Sequence, residues 1–247
     1  IQLSASYFYS RLLGLPVQDV NAYPNFLSVN NPSISSFIPY TNFQADQREG
    51  FDLGISLNKK IQKVDLNVGF VATYYDTKAY TRNDVLYVDD YQKRQGKPID
   101  ALFGLKSDGF FSVADIEAMA NKAPGAPVPQ SFGAVKAGSI KYVDVNNDGV
   151  VDNNDQVYLG RGGNAGSPLT LGLNVTAKWN NFSLFVLANR TSGSYGFKNN
   201  SYYWASGINA KYSAAMRGRW TEATAETATY PSLSTGNNGD NNFRNSD

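Results

Sequence analysis

The sequence predicts an all-β protein, read either as an antiparallel transmembrane β-barrel with long loops and one short loop helix or as a β-sandwich with long loops. Three observations predict it. Five segments alternate apolar and polar residues with a period of two. Tyr (16) and Phe (14) are abundant while charged residues make up only 17%, a balance that suits strands joined by polar loops. Short connections lie at one end of these segments and long ones at the other.

The elements follow in order. QLSASYFYS (Gln2 to Ser10) is the first strand. GFDLGISLNKK (Gly50 to Lys60) sets Phe51, Leu53, Ile55 and Leu57 on one face and Asp52, Gly54, Ser56 and Asn58 on the other. VDLNVGFVATYY (Val64 to Tyr75) sets Leu66, Val68, Phe70, Ala72 and Tyr74 against Asp65, Asn67 and Gly69. LTLGLNVTAKW (Leu169 to Trp179) sets Leu169, Leu171, Leu173, Val175 and Ala177 against Thr170, Gly172, Asn174 and Thr176. NFSLFVLANR (Asn181 to Arg190) is the fifth. Each run is about ten residues, the length that crosses a bilayer at barrel tilt, whereas soluble strands centre on about five or six. Short turns join the second strand to the third and, through Asn180-Asn181, the fourth to the fifth. Long loops run from Arg11 to Gln47, from Asp76 to Gln156 and from Thr191 onward. Aromatics near the strand ends (Tyr74, Tyr75, Trp179, Phe182) suit interfacial girdles.

One stretch breaks the β pattern. SVADIEAMANK (Ser112 to Lys122) has a Ser cap, Asp115 three residues on, and Ile116, Met119 and Ala120 at helical spacing. It predicts one short helix inside a long loop. The Pro/Gly-rich APGAPVPQSFG follows as a connector, and TGNNGDNNFRNSD (Thr235 to Asp247) is a polar, Asn-rich stretch. No run of eighteen apolar residues predicts a transmembrane helix. The opening IQLSASYFYS lacks the basic region and cleavage site of a signal peptide. It reads as the middle of a strand, so the expectation is a piece of something longer.

Composition narrows function. Net charge is +1 and the charges are mixed along the chain, so no nucleic-acid partner is expected. There is no cysteine and no histidine. That removes disulfides, thiolate and imidazole metal ligands, and the commonest general base. Asp89-Asp90 and Glu222/Glu226 are the carboxylate pairs a glycosidase would need, but they read as solvated. GRGGN (Gly160 to Asn164) lacks the lysine and hydroxyl of a phosphate loop and reads as a turn. An enzyme is not expected.

The densest chemistry lies in DVNNDGVVDNND, Asp144 to Asp155. An EF-hand-type loop places oxygen ligands at positions 1, 3, 5, 7, 9 and 12, with glycine at 6. Here those positions are Asp144, Asn146, Asp148, the Val150 carbonyl, Asp152 and Asp155, with Gly149 at the sixth. Four close carboxylates repel one another without a cation, so calcium in a structural role is one reading. Asp at position 12 is shorter than the usual Glu, and the flanks SIKYV and QVYLG read as strands. No calcium sensor is expected. The other reading is an Asx-turn loop whose side chains satisfy their own backbone. A second candidate is the aromatic group Tyr195, Phe197, Tyr202, Tyr203 and Trp204, which either contacts a sugar or a partner or packs its loop onto its neighbours.

Several stretches in order resemble the C-terminal part of SusC/RagA-type TonB-dependent outer-membrane transporters. They are FGLKSDGFFSVADIEAM, GSIKYVDVNNDGVVDNNDQVYLGRG, SPLTLGLNVTAKWNNFSLFVLANRTSG, RGRWTEATAETATYPSLS and NSD. Gly138, Tyr142, Asp144, Asn146, Asp148, Gly149, Asp152 and Asp155 match the family's acidic loop, and Arg219, Trp220, Thr221, Tyr230 and Pro231 a later one. Ser139, Trp179-Asn180 and Ser232 depart from the family pattern. The resemblance implies a section of a large barrel in the outer membrane of a Gram-negative bacterium, with the plug and the final strands outside this chain. The apolar faces above would meet outer-membrane lipid, and Asp52, Ser56, Asn58, Asn67, Asn174 and Thr176 would face the lumen. A SusD-like surface lipoprotein would form a lid, TonB would act through the plug, and the cargo would be an oligosaccharide or a peptide. The acidic loop would be extracellular. The competing expectation is a secreted or cell-surface, calcium-stabilised β-domain that binds glycans, with its apolar faces covered.

Overall fold

The computed structural model describes residues 1–19, 38–200, 202–204, 212–233 and 241–247. The chain forms two compact units, Ile1–Ala101 with Arg161–Tyr195, and Leu102–Gly160 with Gly196–Asp247.

The first unit holds one five-stranded antiparallel sheet. Its strands are β1 (Gln2–Gln18), β2 (Tyr40–Ile61), β3 (Val64–Thr81), β8 (Leu169–Trp179) and β9 (Phe182–Ser192), side by side in that order. The β8 bounds are those the alternation predicts. Strands β1, β2 and β3 are longer than the ten residues expected, at 17, 22 and 18 residues. Pairing continues past the apolar band through polar residues such as Ser10↔Arg48 and Arg48↔Thr77. The hydropathy signal stops there because both partners are polar, but the backbone ladder does not. Parts of the expected loops at Arg11 to Gln47 and Asp76 to Gln156 are therefore strand.

Two-residue turns close the β2–β3 and β8–β9 hairpins. Their leading residues, Gln62 (φ 54) and Asn180 (φ 51), lie in the left-handed region, as tight hairpins require.

Register fixes the faces, because directly paired residues point the same way. One row reads Tyr7, Phe51, Tyr74, Leu169; another reads Leu3, Ile55, Phe70, Leu173, Ala188; a third reads Ile61, Val64, Trp179, Phe182. This outward face is apolar from strand to strand. On the inward face Ser6, Asp52, Thr73, Thr170 and Thr191 share one row. Thr73 Oγ1 donates to Asp52 Oδ1 at 2.7 Å and Ser6 Oγ to Asp52 Oδ2 at 3.5 Å. Asn67 donates to Asn58 lower on the same face. Strand β9 departs from this pattern: Phe185 and Leu187 lie on the inward face and are exposed.

The second unit is built from short strands. β4 (Ala101–Gly104) pairs with β7 (Val157–Arg161), and β5 (Ser107–Phe110) with β6 (Ile140–Tyr142). Between β5 and β6 stands α1 (Val113–Ala120), the helix the sequence predicts. Ser112 Oγ accepts from Asp115 N at 3.0 Å, and Asp115 Oδ2 accepts from Ser112 N at 2.8 Å. That reciprocal box satisfies two end amides, and the Ser112 amide holds the Asp115 carboxyl below its ordinary range. The core is Leu105, Phe132, Ile140, Tyr142 and Val151. Beside it the Gln130 side chain pairs with the backbone of β6: its Nε2 donates to Ile140 O at 3.0 Å and its Oε1 accepts from Tyr142 N at 2.6 Å. Of the polar stretch at 235–247, residues 241–247 are described and the rest lies outside the described residues. Asn241 and Asn242 are buried against Ile140. No helix among the described residues is long and apolar enough to cross a membrane, which leaves strand crossings open.

Candidate functional site

The acidic loop connects β6 to β7 and turns through Asn147 (φ 59) and Gly149 (φ 88). Gly149 at the sixth position carries the sharp turn that the spacing requires. Most of the carboxylate oxygens accept from the loop's own N–H groups. Asp155 is fully buried: its Oδ1 accepts from Val145 N at 2.7 Å and its Oδ2 from Asp152 N at 2.7 Å. Asp148 Oδ1 accepts from Val150 N at 2.9 Å, and Asp152 Oδ1 from Asn154 N at 2.6 Å. Asn146 Oδ1 accepts from Asp148 N at 3.0 Å. Asp144 Oδ2 accepts from Gly149 N at 2.9 Å, while Asp144 Oδ1 is buried without a hydrogen-bond partner.

This is the Asx-turn geometry of the second sequence reading. The twelfth position, Asp155, acts as an internal pin. Among the described residues no three acidic side chains are placed to close on a metal ion. The donor set is nonetheless oxygen only, as a hard cation demands, and a buried carboxylate oxygen with no partner is costly.

The aromatic group divides. Tyr195 belongs to the first unit, where its N–H donates to Arg161 O at 2.7 Å and its ring is exposed. Phe197, Tyr203 and Trp204 line one cleft of the second unit, with a volume of about 930 Å³. Tyr202 meets Tyr203 edge to face, 5.1 Å between centroids, and stays exposed. Trp204 packs between Tyr230 at 5.7 Å and Phe243 at 5.3 Å, and its indole N–H donates to Lys198 O. Trp204 therefore holds its loop in place, and Phe197 and Tyr203 face the cleft.

The sequence reading missed Tyr230, Phe243 and Arg244, which complete the cleft wall. Tyr230-Pro231 carried a motif signal. Phe243 and Arg244 sit in the Asn-rich stretch and carried none. Glu222 is exposed at the start of a short 3-10 turn, and Glu226 is exposed nearby, as expected of solvated carboxylates.

The first unit contributes a buried anchor. Arg161 Nε donates to Asp100 Oδ1 at 3.1 Å, and Arg161 Nη1 to Tyr75 O at 3.1 Å. Asp100 Oδ2 accepts from Gly163 N at 3.0 Å and Ala165 N at 3.4 Å. Tyr75 OH donates to Ala165 O. Gly160 and Arg161 thus end β7, and the turn that the sequence suggests begins only at Gly162, tied down by Asp100.

No protein-family model and no curated protein matches this sequence. Among solved structures, a chain of the RagAB peptide transporter matches with a TM-score of 0.58 and 16% identity, over 98% of this chain and 25% of that one. This chain thus spans about a quarter of the length of the chain it matches. At that identity the likeness is one of fold: the chain is a mostly β protein that shares its architecture with part of a transporter chain.

Proposed function

We propose that this chain is one arc of a TonB-dependent outer-membrane barrel that imports oligosaccharides or peptides together with a SusD-like surface lipoprotein. The observation that carries the reading is the uncovered outward face. Leu3 is 67% exposed, Leu184 62% and Phe51 51%, yet they belong to one continuous apolar surface. A surface of that kind suits lipid and not water. From the Tyr74 row to the Val64 row is about 34 Å along the strand, or about 25 Å of height at a tilt of ~40°. That matches the apolar band of an outer-membrane barrel. Tyr7, Phe51 and Tyr74 mark its upper edge, and Trp179 and Phe182 its lower edge.

The inward face, with its Ser6, Asp52 and Thr73 row, suits a polar lumen. Strands β1 and β9 each have one unpaired edge among the described residues, and a bilayer requires those edges to be paired. The motif order read in the sequence and the likeness to the RagAB peptide transporter chain point the same way. The work is binding and gated passage, with no bond made or broken. The cleft of the second unit, walled by Phe197, Tyr203 and Trp204, is the surface that meets cargo or lid in this reading. The soluble glycan-binding alternative needs the apolar face covered, and no observation favours it.

The test is the intact mass of the polypeptide in the detergent-extracted outer-membrane fraction. A species several times 27.0 kDa is expected there. A species of that mass alone, in the soluble fraction, overturns the reading.

We further propose that the acidic loop takes calcium, on the strength of the partnerless Asp144 Oδ1. Asp144, Asn146, Asp148, the Val150 carbonyl and Asp152 would supply the oxygens, and Asp155 would hold the loop's shape. The ion would stiffen an extracellular loop. Titration calorimetry on the purified full-length protein is expected to show calcium heat that Asp144→Ala abolishes. No heat in the wild type overturns the assignment.

A further inference from the structure

The two ends of the outward face differ in charge. At the long-loop end Arg11, Lys78 and Arg190 share the face with Glu49 and Asp76. The acids are partly engaged there: Tyr7 OH donates to Glu49 Oε2 at 3.3 Å, and Arg161 Nη1 lies 3.7 Å from Asp76 Oδ1. At the short-turn end the last two outward rows hold one charged residue among the described residues, a lysine. Lys59 sits in the row of Leu66, Ala177 and Leu184, one row inside the last. Lys63 occupies the two-residue turn that follows Ile61. Both are exposed, and among the described residues neither forms an ion pair. The nearby acid, Asp65, lies on the inward face opposite Lys60 and Lys178, and its ion pair is with Lys60 at 3.7 Å.

Across β3, in the last outward row, stand Trp179 and Phe182, ring centroids 6.2 Å apart and planes 23° from parallel. They are 52% and 71% exposed. Such rings settle at the boundary between hydrocarbon and headgroups. Lys59 lies one row inside Ile61 on the same face, and a four-carbon lysine stem is long enough to lie along apolar surface and bring its ammonium to that level.

We propose that Lys59 and Lys63, on the same rim as the Trp179–Phe182 pair, form a headgroup site for anionic phospholipid at the short-turn end. This rests on the membrane-barrel reading above. The ligand is a phosphodiester headgroup with no compensating amine. Two ammonium groups at one rim, Lys59 in an outward row and Lys63 in the adjoining turn, with no acid in the last outward rows among the described residues, complement its charge. Lysine near an anionic surface favours it by about fivefold per residue, so two give roughly a 30-fold preference at low salt, weakening as salt rises.

The test uses the full-length transporter, exchanged into mixed phosphatidylglycerol and phosphatidylcholine and examined by native mass spectrometry. Wild type is expected to retain phosphatidylglycerol over phosphatidylcholine. The outward variant Lys59→Gln/Lys63→Gln is expected to lose that preference, and the charge-matched inward variant Lys60→Gln/Lys178→Gln to keep it. Equal retention by wild type and the outward variant, or equal loss in both variants, overturns the site. So does a wild type from the outer-membrane fraction that shows no lipid preference, and the barrel reading survives that result. If the wild type is absent from the outer-membrane fraction, the barrel reading fails and takes the site with it.

Discussion

Arg161 and Asp100 form a buried ion pair at 3.1 Å, with the two side chains 7% and 2% exposed. It ties the residue that precedes β4 to the last residue of β7. Removing one partner of such a pair strands the other charge, at a cost of about 3–5 kcal/mol. Asp100→Ala also frees the amides of Gly163 and Ala165. Hydrogen exchange at those two amides is expected to speed up by at least tenfold, with the β8 amides unchanged. Asp100→Asn, which keeps an acceptor oxygen, is expected to fall between. Unchanged protection in Asp100→Ala would show that the turn is held by other contacts.

The hairpin turns give a second prediction. Gln62 and Asn180 hold positive φ, which costs an ordinary L-residue roughly 1–2 kcal/mol. Gln62→Gly removes that strain and is expected to raise stability by up to about 1 kcal/mol, offset in part by the freedom glycine gains unfolded. Asn180→Val is expected to lower it, because a β-branched residue tolerates that region least. Denaturant midpoints of the detergent-solubilised full-length protein measure both.

Tyr142 supplies a pH dependence. Its ring is buried in the core of the second unit, and its hydroxyl donates to Asn241 O at 3.0 Å. Burial pushes the phenol up from 10.0 to about 12, with Ser246 and Arg244 pulling the other way. The folded state therefore holds its proton more tightly than the unfolded state. Stability from this group is fully present below pH 10 and is lost as pH rises from about 10 to about 12. Tyr142→Phe is expected to flatten that alkaline loss. The measurement is thermal unfolding between pH 8 and pH 12, read by near-UV circular dichroism.

Much of the sheet was legible because an alternating face needs only near-neighbour sequence. Leu169 to Trp179 reads as a strand and is one. The upper extensions of β1 to β3 were not legible, since polar residues pair there with polar residues and no hydrophobic period marks them. The capping box of α1 was legible, because Ser112 and Asp115 are three apart and act on each other. The acidic loop was legible as a turn rich in carboxylates. That Asp155 points inward and spends both oxygens on backbone N–H groups was not, because a ligand spacing does not say which way a side chain faces. The cleft was half legible: Phe197, Tyr203 and Trp204 are neighbours in sequence, while Phe243 arrives from a segment with no pattern. The Arg161–Asp100 pair joins residues whose motifs say nothing of each other.

The fold brings together two motif stretches that the sequence shows separately. Gly138 has φ +80 and lies at the start of the acidic-loop stretch; a Cβ there would come within 2.6 Å of Trp220 Cε3 and 2.6 Å of Ser232 Cβ. Its N–H donates to Phe111 O at 2.7 Å, and its carbonyl accepts from Ser232 N at 2.8 Å. Trp220 is buried and its N–H donates to Tyr230 O at 2.7 Å. The glycine is thus required twice, for its left-handed backbone and for the indole lying against it. Gly138→Ala must displace a buried ring and adopt a strained φ. The expected loss is about 2–4 kcal/mol, the sum of strain and overpacking. Trp220→Leu would relieve the clash and leave the strain, so the double variant Gly138→Ala/Trp220→Leu is expected to lose less than the two single losses added together. A double-mutant cycle by denaturant unfolding reads that coupling. Simple additivity would show that the two stretches do not depend on each other.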